Sequence, residues 1–195
     1  MTDAPSLIVF AGSAREDSVN KKIARVAASI AETAGANVTL IDLRDYPMPL
    51  YDGDLEAREG LPDAARELKG LFRSSDGFFI ASPEYNSSLP PLLKNTIDWV
   101  SRPASSDEPP LVAYKGKVAA IAAGSPGSTG GMRGLVPLRM MLGNIGMHVV
   151  PQQLAIAGAP NAFDANGNLT DTDRMRALEG VVHQLVTTAR ALKDG

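Results

Sequence analysis

Hydrophobic positions along this chain follow two alternating rhythms. Leu7-Ile8-Val9-Phe10 is a continuous apolar run ending at Ala11-Gly12, the pattern of a strand buried on both faces. Ile23, Val26, Ala27, Ile30, Ala31 and Ala34 then recur at helical spacing, and Gly35 stands where a C-cap is needed. Val38 to Ile41 reads as a second strand, and the stretch Tyr46 to Tyr51, broken by Pro47 and Pro49, fits neither helix nor central strand. A second helix is predicted from about Pro62, a fitting first-turn proline, with Ala65, Leu68, Leu71 and Phe72 on one face. Gly77 to Ala81 forms strand three. Leu92, Leu93, Ile97 and Val100 mark a third helix opened by Pro90-Pro91. The segment from Arg102 to Tyr114 is rich in Pro, Ser and acidic residues and reads as irregular. Val118 to Ala122 is strand four; Leu135, Leu138, Leu142 and Ile145 give helix four; Met147 to Val150 is strand five. A polar loop from Gly158 to Leu169 precedes a last helix with Met175, Leu178, Val182, Leu185 and Ala189 turned inward.

Five strands alternating with five helices imply a parallel sheet covered on both faces, a three-layer α/β sandwich. With no repeat, low-complexity block or linker, residues 1–195 are expected to form a single domain. Five βα units suit the strand order 2-1-3-4-5, the flavodoxin-like arrangement, whose switch point lies between strands one and three. Ligands in such sheets bind beyond the carboxyl ends of the strands, so chemistry is expected just after Ala11 and just after Ala81.

Composition narrows the chemistry. The chain carries a net charge of −3 and no Lys/Arg-rich run, so no nucleic-acid partner is expected. Its longest apolar runs are strand-length, which argues against membrane insertion. Met1 to Pro5 contains an acid in place of a basic leader segment, and a cytoplasmic setting is expected. The absence of cysteine excludes disulfides, thiolate zinc sites, Fe–S clusters and thiol redox chemistry. His148 and His183 are not spaced as metal ligands and read as structural. Any redox work must fall to an organic cofactor.

After strand one comes Gly12-Ser13-Ala14-Arg15-Glu16-Asp17-Ser18-Val19-Asn20, leading into a helix. A glycine exit, two hydroxyls, an arginine fork and a helix N-terminus with free N–H groups suit phosphate capture. Neither GxGxxG nor the Walker pattern is present, which disfavours dinucleotide and triphosphate loops. The plainer alternative is that Ser18 caps the helix and Arg15 is a solvated loop residue. After strand three comes Ser82-Pro83-Glu84-Tyr85-Asn86-Ser87-Ser88, where Tyr85 and Asn86 could address a flat heterocycle or, alternatively, serve as packing and a cap. Gly124-Ser125-Pro126-Gly127 after strand four reads as a third wall or as a flexible connection.

Together these segments resemble the NADPH-dependent FMN reductase family. The resemblance rests on Gly12-Ser13-x-Arg15-x-x-Ser18-x-Asn20, Pro83-Glu84-Tyr85-Asn86, Leu93-Lys94-Asn95-x-Ile97-Asp98-Trp99 with Ser101-Arg102, and the loop Leu50 to Asp54. It implies that Ser13, Arg15, Ser18 and Asn20, with the backbone amides of Asp17 and Val19, hold an FMN phosphate. It places Pro83, Glu84, Tyr85 and Asn86 along the isoalloxazine ring, with Ser125 completing the pocket. It further implies that NADPH or NADH donates the electrons, which pass in a ping-pong cycle to a quinone, azo compound, metal oxyanion or free flavin. No side chain need act as nucleophile or base. Family members are dimers or tetramers with flavin at the interface, so a homo-oligomer is expected. The other reading is a flavodoxin-like electron carrier or flavin-binding regulator without its own NAD(P)H activity.

Overall fold

The computed structural model describes residues 4–193. Its sheet is all parallel, in the order β2-β1-β3-β4-β5, from β1 (Ser6–Ala11), β2 (Asn37–Asp42), β3 (Gly77–Ala81), β4 (Val118–Gly124) and β5 (His148–Ile156). This is the flavodoxin-like arrangement expected from the alternation of elements. Strand side chains alternate between two cores. Leu7, Val9 and Ala11 of β1 pack toward α1 (Val19–Thr33) and the C-terminal helix Thr172–Lys193. Ile8 and Phe10 face the opposite layer, formed by Asp63–Ser74, Pro91–Ser101 and Met132–Asn144. In that layer Phe72 stacks on Phe10 at 5.8 Å and meets Phe78 edge-on at 4.8 Å. Such pairs add about 0.5–1.5 kcal/mol beyond the area they bury. The interior strand β4, Val-Ala-Ala-Ile-Ala-Ala-Gly, is buried throughout, its small side chains letting both helical layers approach.

Two elements differ from expectation. A short helix, Gly53–Glu59, lies where a loop was read. We number it α2, so that the later helices are α3 (Asp63–Ser74), α4 (Pro91–Ser101), α5 (Met132–Asn144) and α6 (Thr172–Lys193). Local signals for α2 exist: Asp52 caps its N-terminus by accepting from the Asp54 N–H, and Gly60 ends it at φ +73°. It has no buried residue, however, so no hydrophobic periodicity betrays it. Tertiary contacts hold it instead. Arg102 Nε donates to Glu56 at 2.9 Å, and the Tyr51 hydroxyl donates to Glu56 at 2.9 Å. The Trp99 indole, fully buried, donates to the Pro49 carbonyl at 2.7 Å and packs against Tyr51.

β5 is the second difference, running to Ile156 past Pro151, Gln152 and Gln153. These residues look like a loop, but an edge strand tolerates proline. Pairing with β4 jumps from Ala119↔Val149 to Ile121↔Gln153, and the Arg139 guanidinium donates to the carbonyls of Val150 and Pro151 in the bulge. Pro62 is the cap residue of α3 and not its first turn. His148 and His183 are both exposed.

Candidate functional site

β1 and β3 end side by side, Ala11 opposite Ala81, and the Gly12 N–H extends the ladder to the Ala81 carbonyl at 2.9 Å. Beyond this point the chain leaves β1 and β3 in opposite directions. Gly12 lets α4 approach closely: a Cβ would lie 3.0 Å from Leu93 Cβ. The first loop then delivers Ser18 to the N-cap of α1, where its Oγ accepts the Asn20 N–H at 3.2 Å. Val19 and Lys21, in the first turn, have N–H groups with no intrahelical acceptor, and the positive end of the helix dipole lies with them. Ser13 Oγ, 2% exposed, accepts from the Arg15 N–H. The Arg15 side chain is exposed and makes no hydrogen bond or ion pair among the described residues.

The second loop follows Ser82. Tyr85 and Ser88 exchange backbone hydrogen bonds at 2.9 and 3.1 Å across Asn86 (φ +50°) and Ser87 (φ +63°). Positive φ at both central positions makes this a tight turn of the hairpin kind, and a serine there carries roughly 1–2 kcal/mol of strain. The turn lifts the Tyr85 ring to the surface, 45% exposed. Glu84 anchors its base: the carboxylate accepts the Gly134 N–H, in the first turn of α5, at 3.1 Å. The third wall is the end of β4, where Ser125 Oγ accepts the Gly127 N–H.

These loops enclose a cleft of about 100 Å³ lined by Ser13, Arg15, Ser18, Val19, Asn20, Pro83, Glu84, Tyr85 and Ser125, with Gly124 and Pro126. Nine of the residues singled out in the sequence therefore meet at one place. Asp17 and Asn86 do not line it: Asp17 is exposed ahead of the cap, and Asn86 occupies the turn. Gly124 and Pro126 were visible only as part of a Gly-Ser-Pro-Gly string. Beside the cleft, at the end of β2, Lys21 Nζ binds Asp42 at 2.6 Å. Burial pushes the Asp42 carboxyl up, but hydrogen bonds from Lys21 and the Arg44 N–H, with both positive charges, hold it below its ordinary value.

A larger hollow of about 510 Å³ lies between α1, α6 and residues 165–168, shares no lining residue with the cleft, and is walled by Lys22, Arg25, Asn166 and Glu179. No group of three or more His, Cys, Asp or Glu among the described residues could hold a metal. No helix among them is long and apolar enough to cross a membrane.

The profile of the NADPH-dependent FMN reductase family matches residues 5–161, a span that contains all three walls of the cleft. A quinone reductase of Pseudomonas putida is 35% identical, over 89% of each chain. An NAD(P)H-dependent FMN reductase of Pseudomonas aeruginosa is 32% identical, over 99% of this chain and 100% of its own. Among solved structures, the flavoenzyme NAD(P)H:(acceptor) oxidoreductase of Paracoccus denitrificans superposes with a TM-score of 0.80 at 30% identity, covering 96% of this chain and 98% of its own.

Proposed function

The chain belongs to the NADPH-dependent FMN reductase family, and from that premise we propose that it passes electrons from NAD(P)H to a quinone or a similar small oxidant. FMN is the cofactor of such a reductase, and it supplies two-electron transfer at its ring. The observation carrying the reading is the donor-rich cleft at the switch point. The Arg15 side chain has no partner among the described residues, the α1 N-terminus opens onto the cleft, and Ser13 and Ser18 stand beside it. The single carboxylate in the wall, Glu84, is occupied by the Gly134 N–H. Such a set fits a phosphate dianion.

In this reading Arg15, Ser13, Ser18 and the first N–H groups of α1, with the Asp17 amide ahead of them, hold the phosphate. Pro83, Glu84 and Tyr85 flank the ring, Ser125 closes the third side, and Asn86 shapes the turn that presents Tyr85. NAD(P)H and acceptor use one opening in turn, a ping-pong order. The quinone assignment is supported by the names of the relatives in Pseudomonas putida and in Burkholderia, the latter a 2-hydroxy-1,4-benzoquinone reductase at 32% identity. Azo compounds, metal oxyanions and free flavin remain in the acceptor panel.

We also propose a homodimer or homotetramer with the flavin at the interface, in a cytoplasmic setting. The cleft of one chain, about 100 Å³, falls below the roughly 300–1,000 Å³ of typical ligand sites. Beside it α5 exposes Met132, Val136 and Met140, one stripe at 54%, 65% and 63% exposure.

The test is direct. The purified chain should take up FMN, turn yellow, and oxidise NAD(P)H with benzoquinone, giving parallel double-reciprocal lines. Failure to bind FMN refutes the reading. Bound FMN with no NAD(P)H oxidation on any small acceptor points to an electron carrier, and intersecting lines refute the ping-pong order.

A further inference from the structure

β4 runs past the point where β3 leaves it. Ala81 of β3 lies opposite Ala122, and the Ser82 N–H donates to the Ala122 carbonyl at 2.8 Å. One more step of a parallel ladder would send the Gly124 N–H to the Ser82 carbonyl and the Glu84 N–H to the Gly124 carbonyl. Neither bond is made among the described residues. The Gly124 N–H donates instead to Asn20 Oδ1 at 2.9 Å, and Asn20 Nδ2 donates to the Gly124 carbonyl at 3.0 Å. The backbone groups of Gly124 dictate which end of the amide is which. Asn20 is 1% exposed, and the fit is close: a Cβ on Gly124 would stand 2.8 Å from Ile23 Cδ1.

We infer that Asn20 is a positioning residue of the flavin site, not a phosphate ligand: its carboxamide replaces the next peptide group of β3. Two things follow from that substitution. The Ser82 carbonyl and Glu84 N–H are released from the ladder, and the Gly124–Ser125 wall is tied to the N-terminus of α1. The inference rests on the reading that flavin occupies this cleft, and it differs from the phosphate contact that family resemblance implies for Asn20.

The test compares Asn20→Ala with Arg15→Ala, measuring affinity for FMN and for riboflavin, which lacks the phosphate. Arg15→Ala should weaken FMN alone. Asn20→Ala should weaken both flavins by the same factor, about tenfold or more, since two buried backbone groups lose their partners. In that variant the Glu84 N–H is expected to rejoin the Gly124 carbonyl, shifting the midpoint potential of bound FMN. A loss confined to FMN in Asn20→Ala, or an unchanged potential, overturns the inference. Absence of flavin selectivity in Arg15→Ala tells instead against the phosphate reading.

Two measurements do not depend on flavin or on the variant folding well. In the wild-type chain the Gly124 amide should exchange slowly. Titration with inorganic phosphate should move the Arg15 Nε resonance and leave the Asn20 side-chain NH2 resonances in place. A phosphate-induced shift at Asn20, or fast exchange at Gly124, removes the inference.

Discussion

Gly134→Ala separates helix stability from site geometry. Gly134 lies inside the first turn of α5, and its N–H is held by Glu84 at 3.1 Å. Alanine in a helix interior is worth about 1 kcal/mol over glycine, so propensity alone favours the change. A Cβ there would meet the Ser88 carbonyl at 3.1 Å and Glu84 Cα and Cβ at 3.3 Å; Glu84 lines the cleft, and Ser88 closes the turn that follows it. Relieving those contacts moves the turn by a few tenths of an ångström, and overpacking of this kind costs roughly 1–3 kcal/mol. The stability gain should therefore vanish or reverse, while FMN binding weakens by about tenfold, or about 1.4 kcal/mol. Gly70→Ala is the control, because Gly70 is exposed in α3 with nothing within 4 Å of its Cβ position. It should raise Tm by roughly 2–4 °C and leave FMN affinity alone. Thermal melts and flavin-fluorescence titrations read both quantities. If Gly134→Ala stabilises as much as Gly70→Ala and binds FMN normally, the contact between α5 and the Glu84 loop does not set the site.

Three other perturbations follow from the same contacts. Glu108→Gln would strand Lys69, whose side chain is 4% exposed and also donates to the Arg102 carbonyl. Urea denaturation should show a loss of about 3–5 kcal/mol, largely recovered in Lys69→Met/Glu108→Leu, and a loss below about 1 kcal/mol refutes the argument. Asp42 has a folded-state pKa held below its ordinary value, so its stabilising effect is full above the unfolded pKa, about 3.9, and is lost as pH falls through the folded one. Wild type and Asp42→Asn should therefore differ at neutral pH and converge as acid protonates Asp42 in the folded chain, and a gap that does not narrow with falling pH contradicts the assignment. Val136→Glu, in the centre of the exposed α5 stripe, should lower the mass seen in sedimentation, and an unchanged oligomer excludes that face as the interface.

What could be read from the chain follows from the range of the forces involved. β1, β3 and the buried faces of α1 and α6 carry uninterrupted apolar patterns, and these were legible to within a few residues. α2 was not, because Glu56 and Tyr51 are secured by Arg102 and Asn95 from far along the chain and no core face shows. The far half of β5 was not, because Pro151 and two glutamines interrupt the apolar run at Val150, and the strand continues past them only with Arg139 donating to its carbonyls. The strand order was legible, and with it the switch point where the candidate loops meet, since that point depends only on strand order. Residue roles inside them were less visible: Asn20 has the composition of a phosphate-loop residue, and its actual partners are 104 positions away.

Asn20 and Arg139 point to a common principle at the edges of this sheet. In both places the backbone ladder fails, once where β3 departs from β4 and once where β5 bulges, and a side chain from a covering helix takes over the missing donors or acceptors. Sheet and helices are thereby locked at the points where the strands stop specifying position. The cleft inherits its geometry from the helices: one wall is tied to α1 through Asn20, and the other to α5 through Glu84 and Gly134. A second copy seated on the α5 stripe would press on the same helix that anchors the Glu84 loop. Assembly and flavin affinity should then be coupled through Gly134, with no residue of the stripe needing to touch the cofactor.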